Sequence, residues 1–147
     1  ISSLSIRNSF NYIGQNERLF TDTIINNITL DRKVDESVLS KILEITHVNE
    51  MINSKGLKEN TFIEENGFNL SGGERQRIIL ARGLLKAKNY IFIDEALSEV
   101  DYELEKTIVK NILDYFKDKT IIYVSHKNGI EELFDKNIIL RSVKNNG

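Results

Sequence analysis

Cysteine and proline are absent from this sequence, and methionine occurs once, at Met51. Without cysteine the chain can form neither disulfides nor thiolate metal sites, which agrees with a cytosolic location. Without proline, its turns must rely on glycine, asparagine and aspartate, as at Asn66-Gly67 and Asn128-Gly129. Because the single methionine lies well inside the sequence, we do not expect Ile1 to be a natural start. The chain is expected to be the C-terminal portion of a longer protein.

Long apolar runs and a strong charge of either sign are also missing. No run approaches the roughly 20 apolar residues of a membrane helix, and no signal peptide opens the chain. The net charge of -2 and the pI near 5.8 provide no overall positive field. This argues against a domain that binds nucleic acid by neutralising its phosphates. With 40% hydrophobic and 29% charged residues among 147, the composition is that of one ordinary globular domain.

Alternating apolar runs and helical patterns predict an α/β fold. Runs that suit strands lie at 10–13, 90–93, 120–124 and 138–140, and patterns that suit helices lie at 34–45, 48–52, 71–86, 102–116 and 130–134. The segment 22–28 is expected to form a short helix or turn, and the segment 54–69 a loop. The runs at 90–93 and 120–124 suit strands buried on both faces, which predicts a parallel sheet wrapped by helices.

Polar residues follow three of the predicted strands directly. Gln15 follows the first strand, Asp94 and Glu95 follow the second, and His126 follows the third. In folds with a parallel sheet, ligands gather at the C-terminal ends of the strands. We therefore expect these four residues to belong to a functional site.

The string Leu-Ser-Gly-Gly-Glu-Arg-Gln-Arg opens the helix predicted at 71–86. Ser71 is the natural N-cap of this helix, and Gly72 and Gly73 lie where free backbone N–H groups point outward. Such a helix end binds anions and suits a phosphate. By itself a glycine pair is more often a flexible turn, so the interpretation depends on the segments that follow.

Residues Leu70 to Arg77 resemble the signature loop of the ATP-binding cassette (ABC) ATPases. In that family this helix end holds the γ-phosphate of an ATP that is bound mainly by a second subunit. The resemblance therefore implies a nucleotide-binding role in trans for Leu70, Ser71, Gly72 and Gly73. The family's Walker A loop, of the pattern Gly-x-x-x-x-Gly-Lys-Ser/Thr, is absent because no glycine in this sequence is followed by lysine.

The residues Tyr-Ile-Phe-Ile-Asp-Glu at 90–95 resemble a Walker B motif. By that resemblance Asp94 is the carboxylate for Mg²⁺, a cation that needs few protein ligands besides nucleotide phosphates. Glu95 would lie beside the γ-phosphate as general base or water-positioning group. Taken alone, the pair could simply end a strand with solvated charge.

Three more positions match the same family in the expected order. The strand 120–124 followed by His126 resembles the switch-histidine segment, whose imidazole contacts the γ-phosphate. Gln15 resembles the Q-loop glutamine, whose amide oxygen reaches Mg²⁺ or the lytic water. Ser98 and Asp101 occupy the D-loop, which implies a place at the dimer interface, and Asp101 also suits the N-cap of the next helix. The other histidine, His47, has no partner motif and is expected to be structural or exposed.

Two segments differ from the family's usual sequence. The D-loop at 96–101 has Glu99 where the family more often has alanine, which puts an extra charge at the expected dimer interface. The segment 61–67 keeps the threonine, one glutamate and the glycine of the exporter-type loop Thr-Glu-Val-Gly-Glu-Arg-Gly. The segment 61–67 supports an exporter, whereas the D-loop difference bears on coupling between the two ATP sites.

The resemblance covers nearly the whole chain and implies a partial nucleotide-binding domain of an ABC exporter. Its fold would be a P-loop NTPase-like parallel sheet with helices on both faces and a helical subdomain. The implied units are a Q-loop strand with its following segment at 1–30, a helical signature subdomain at 31–87, and a core at 88–143 with Walker B, D-loop and switch histidine.

The implied ligands are ATP and Mg²⁺. The implied partners are a second nucleotide-binding domain in a head-to-tail dimer and the transmembrane domains of a transporter, without nucleic acid, at the cytoplasmic face of the membrane. The context of Gln15 favours a peptide or multidrug exporter, and a bacteriocin-type peptide is one such cargo. The chain alone is expected neither to hydrolyse ATP nor to bind MgATP tightly, since Walker A grips the phosphates.

Two alternatives remain at this point. One is a non-hydrolysing ABC-like interaction or regulatory module, which an upstream Walker A loop would argue against. The other is an ABC ATPase of DNA repair or translation, which is disfavoured because the compact helical block between Gln15 and Leu70 leaves no room for a long coiled coil.

Overall fold

A computed structural model describes residues 3–67 and 69–140 of the chain. Its sheet has three parallel strands in the order β1, β2, β3. They are β1 Phe10–Gly14, β2 Tyr90–Asp94 and β3 Thr120–Val124. Gly14 pairs with Asp94, and Asp94 pairs with Val124, so the three strands end at the same level. The predicted α/β fold with a parallel sheet is confirmed.

Helices account for most of the other regular structure in the described residues. They are α1 Ser3–Ser9, α2 Ile24–Thr29, α3 Glu36–Ile45, α4 Val48–Ser54, α5 Gly72–Leu84 and α6 Tyr102–Tyr115, with 3₁₀ turns at Glu65–Gly67 and Ile130–Leu133. Five of the six helices match predicted segments, whereas α1 does not, because its serine-rich sequence has no helical apolar pattern. None of the helices in the described ranges has both the length and the apolar character needed to cross a membrane.

The prediction of a fourth strand at 138–140 is wrong. These residues form no strand, and Ile138 and Leu140 are 87% and 90% exposed. Three apolar residues without a neighbouring strand have neither ladder partners nor a surface to cover. The run alone was therefore too short a signal.

Helices α5 and α6 cover one face of the sheet. On that face Asn11 donates from Nδ2 to the Gly83 carbonyl of α5 at 2.8 Å, and Tyr123 donates from its hydroxyl to Glu105 of α6 at 2.6 Å. Ile13 and Ile93 lie fully buried between them. This face joins the helical block of α2 to α5 in one continuous hydrophobic cluster.

The opposite face of the sheet is exposed in the described residues. Tyr12 and Phe92 stack there with ring centroids 5.6 Å apart, Phe10 stacks on Tyr90 at 4.9 Å, and Ile122 lies beside them. The prediction that β2 and β3 are buried on both faces is therefore wrong, because no described helix packs on this side. The fold prediction had helices on both faces of the sheet, and the described residues place helices on one of them.

Candidate functional site

The carboxyl ends of the three strands bring Glu95 and His126 together. Nε2 of His126 lies 2.6 Å from Oε1 of Glu95, and the imidazole is 82% exposed while the carboxylate is largely covered. The pairing follows from the register, since Glu95 comes directly after the last residue of β2 and His126 lies two residues after β3. This edge of the sheet therefore presents a carboxylate and an imidazole in contact, as the residue order predicts.

Glu95 has an unusual backbone. Its φ of +51° lies in the left-handed region, which non-glycine residues rarely adopt. Its N–H donates to the Val124 carbonyl at 3.0 Å, and its own carbonyl accepts from the Ser98 N–H at 3.3 Å. The surrounding structure thus fixes a strained residue in place, and such strain is concentrated at functional sites.

Asp94 ends β2 on the exposed face of the sheet. Its Oδ2 accepts a hydrogen bond from the Tyr12 hydroxyl at 2.8 Å, and this bond raises the pKa of Tyr12. The described residues hold no group of three or more His, Cys, Asp or Glu that could form a metal cage. Mg²⁺ needs no such cage, because it is commonly bound by one or two carboxylates together with substrate phosphates. The oxygen donors of Asp94, Glu95 and Gln15 fit that pattern.

Gln15 lies on a cavity beside helix α5. The cavity is shared by the loop after β1, the first two turns of α5, and the D-loop. Its walls include Gln15, Glu17, Gly72, Gln76 and Glu99. Gln15 therefore shares a cavity with Gly72 at the start of α5.

The start of α5 is built as the sequence predicts. The Ser71 hydroxyl accepts from the Glu74 N–H at 3.2 Å, and Glu74 in turn accepts from the Ser71 N–H at 2.8 Å, which completes a capping box. Desolvation alone would raise the pKa of Glu74, but its bonds from Lys55 and from the Ser71 N–H lower it below the ordinary value. The N–H groups of Gly72 and Gly73 have no protein acceptor among the described residues and remain available to an anion.

The D-loop packs directly against these two glycines. A Cβ at Gly73 would lie 3.0 Å from the Glu99 carbonyl oxygen, and a Cβ at Gly72 would overlap with the Glu99 carboxylate. The close approach therefore depends on glycine at both positions. It also places a negative charge at the helix end that the sequence predicts to bind phosphate.

Gln76 holds the D-loop to α5 and was missed by the sequence analysis. Its Oε1 accepts from the Glu99 N–H at 2.8 Å, and its Nε2 donates to the Ser98 hydroxyl at 2.9 Å. Gln76 is 7% exposed, so these bonds satisfy a buried amide. Gln76 is flanked in the sequence by Arg75 and Arg77, so no local pattern singles it out.

The remaining candidates have defined local roles. Asp101 caps α6 by accepting from the Leu104 N–H at 3.0 Å, which confirms the predicted N-cap. The Leu70 side chain lies in the hydrophobic core, so it anchors the helix start and does not face solvent. His47 precedes α4 with its Nδ1 2.8 Å from Glu50, which agrees with a structural role.

Sequence comparisons match most of the chain to known proteins. Residues 2–98 match a family described as ABC transporter. The chain is 36% identical over 138 residues to the ATP-dependent lipid A-core flippase of Vibrio parahaemolyticus, covering 92% of this chain and 24% of that protein. It is 34% identical over 142 residues to the lactococcin-G-processing and transport ATP-binding protein LagD of Lactococcus lactis, covering 95% of this chain and 20% of LagD.

The structural comparison agrees with the sequence comparisons. The fold superimposes on a bacterial Atm1-family ABC exporter with ATP bound, with a TM-score of 0.78 and 26% identity. The match covers 89% of this chain and 23% of the exporter chain. The chain thus spans about a quarter or less of the length of the relatives it matches.

Proposed function

This chain belongs to the ABC transporter family, and on that premise we propose that it is part of the ATP-hydrolysing, nucleotide-binding domain of an exporter. The observation that carries the proposal is the contact of Glu95 with His126 beside Asp94, at the common end of three parallel strands. Ligands of parallel α/β sheets bind at that edge.

In the proposed reaction Glu95 accepts the proton of the water that attacks the terminal phosphate of ATP. His126 holds the Glu95 carboxylate and contacts that phosphate, and Gln15 orients the water. When bound, Mg²⁺ neutralises charge on the phosphate oxygens, and Asp94 is the residue that would hold it. The chain's own contribution is therefore positioning and charge stabilisation, which dominate phosphoryl transfer.

Helix α5, called the signature helix because residues 70–77 resemble the ABC signature, serves a different ATP molecule in this proposal. The free N–H groups of Gly72 and Gly73, with Ser71 beside them, bind the γ-phosphate of an ATP held by a second nucleotide-binding domain. Leu70 sets the position of that helix end. The D-loop residues Ser98 and Asp101 then lie at the interface of a head-to-tail dimer.

The proposed organisation has three units. Residues 1–30 form a Q-loop strand with its following segment, residues 31–87 form a helical signature subdomain, and residues 88–143 form a core with Walker B, D-loop and switch histidine. The partners are a second such domain and the transmembrane domains of the transporter, at the cytoplasmic face of the membrane. A peptide such as a bacteriocin is the proposed cargo, supported by the likeness to a protein named for lactococcin G transport.

The test is Glu95→Gln in the complete protein. We expect ATP turnover to fall by about 100-fold or more, the scale of losing a general base, and the ATP-bound dimer to accumulate. Glu103→Gln, at an exposed position on α6, is the matched control and should hydrolyse ATP at the wild-type rate. Turnover near wild type in Glu95→Gln would remove this role from Glu95. A wild-type protein that binds ATP without hydrolysing it would instead be the interaction module.

A further inference from the structure

Lys127 links the loop that carries His126 to the D-loop. Its Nζ lies 2.6 Å from Oε2 of Glu105 and donates to the main-chain carbonyls of Leu97, at 3.1 Å, and Val100. The two carbonyls take two of the three N–H donors of the ammonium, and the Glu105 carboxylate is an ionic contact beside them. Lys127 comes directly after His126 in the sequence.

Glu105 makes this contact costly to break. The side chain lies on α6 and is 1% exposed, and its other oxygen accepts from the Tyr123 hydroxyl of β3 at 2.6 Å. Burial, and after it this hydrogen bond, raises the pKa of Tyr123, so the tyrosine stays a neutral donor. The Lys127 ammonium is the one ionic partner of Oε2 within the described residues, although the contact lacks hydrogen-bond angles. A buried carboxylate without a partner is strongly unfavourable, which holds Lys127 in position.

The segment between Leu97 and Val100 is therefore bound on two sides. On one side Gln76 of α5 binds Ser98 and Glu99, and on the other side Lys127 binds the carbonyls that flank them. The His126 loop is short and tight as well, because the Lys127 N–H donates to the Ser125 hydroxyl at 3.1 Å. Hydrogen bonds of Lys127 therefore connect the D-loop to the residue next to His126.

We propose that Lys127 is a positioning residue that makes the D-loop and His126 move as one unit. Its contacts join the proposed dimer interface to the Glu95–His126 pair within a single chain. The consequence for catalysis rests on the proposed function, whereas the mechanical link is a property of the fold. In the closed dimer, D-loop contacts with the partner would then fix His126 against Glu95.

The first test is amide hydrogen exchange of the D-loop in the complete protein. Lys127→Met alone removes the three contacts but leaves the buried Glu105 carboxylate without an ionic partner. The main variant is therefore the double change Glu105→Gln with Lys127→Met. It leaves no buried charge and keeps an oxygen that can accept from the Tyr123 hydroxyl. In the double variant we expect the amides of Ser98, Glu99 and Val100 to exchange about 10-fold faster or more. Lys127→Arg should exchange at close to the wild-type rate, because it keeps the positive charge and the N–H donors.

Lys110→Met is the matched control, since Lys110 is an exposed lysine on α6. It should leave D-loop exchange unchanged. Unaltered exchange in the double variant, or equal acceleration in Lys110→Met, would overturn the link. The exchange measurements need no ATP. They therefore test the link between Lys127 and the D-loop even if the wild-type protein does not hydrolyse ATP and the proposed function fails.

The second test separates positioning from binding. Because Lys127 contacts the D-loop and not the strand-end edge, the double variant should lower kcat by about 10-fold with KM for ATP changed less than about 2-fold. Lys127→Arg should recover most of the lost kcat. A raised KM with unchanged kcat would contradict the positioning role.

Discussion

Glu95, at the end of β2, is held by backbone hydrogen bonds as well as by its side-chain contact with His126. Glu95 keeps a left-handed φ because its N–H is bonded to Val124 and its carbonyl to the Ser98 N–H. A glutamine at this position can keep both backbone bonds. A loss of turnover in Glu95→Gln therefore reports on the carboxylate itself and not on a displaced turn.

Glu99 is a second residue with a specific expected effect. Its carboxylate lies against Gly72, at the helix end proposed to receive a phosphate, and two negative charges at that end repel each other. We expect Glu99→Gln to lower the KM for ATP by about 3-fold at low salt, with the difference shrinking as added salt screens the repulsion. Steady-state ATPase assays over a salt series measure this directly.

The control for this prediction is Glu132→Gln, which removes an equal charge at an exposed position away from α5. Its KM should equal that of the wild type at every salt concentration. A KM for Glu99→Gln that is unchanged, or that rises, would mean that the carboxylate does not oppose nucleotide binding.

Helix α5 begins at a fixed point because several elements meet there. The capping box closes its first turn, Lys55 after α4 binds Glu74 at 2.8 Å, and the D-loop packs on the two glycines. Each contact comes from a different part of the chain. The free N–H groups at the helix start are thereby held rigid, as an anion site requires.

The charge of Glu74 makes the stability of this element depend on pH. Its folded-state pKa is lowered below the unfolded value of about 4.5, so its contribution is present above that pH and is lost as the pH falls through the folded pKa. Glu74→Gln can keep the capping box without the charge and should lower the free energy of unfolding at neutral pH by less than about 1 kcal/mol. Urea titrations between about pH 7 and about pH 3 should show this difference vanish on the acid side.

Glu59→Gln, at an exposed position with no ion pair among the described residues, is the comparison for that titration. Its stability should follow the wild type across the range. If Glu74→Gln differed from the wild type by the same amount at every pH, the charge of Glu74 would not be the cause.

Local contacts were predictable from the sequence, and distant ones were not. Ser71 and Asp101 cap helices whose bonded N–H groups lie three residues away, so the short patterns predicted both caps. Gln76 binds Ser98 at a separation of 22 residues, and Lys127 binds Leu97 at a separation of 30. A single sequence contains no sign of such pairings, because they exist only after the sheet and α5 have packed.

At the scale of the whole molecule, the strand ends and the start of α5 are two separate candidate sites. The strand ends carry Asp94, Glu95 and His126, whereas the start of α5 lines a cavity together with Gln15. One sheet face is packed by α5 and α6, and the aromatic face is open in the described residues. In the proposed function, the strand-end carboxylate and the start of α5 of one chain serve two different ATP molecules.

Mixed dimers of the complete protein test this claim most directly. Ser71→Glu places a carboxylate at the exposed start of α5, and Glu95→Gln disables the strand-end site. ATP hydrolysis is measured in purified dimers that carry both changes in one protomer beside a wild-type partner, and in dimers that carry one change in each protomer.

If each protomer's signature serves its partner's ATP, one change per protomer disables the same pocket twice and leaves the other intact. Those dimers should retain about half of the wild-type rate, whereas both changes in one protomer should abolish hydrolysis. The opposite ranking, with hydrolysis retained when both changes share a protomer and lost when they are separated, would contradict the account.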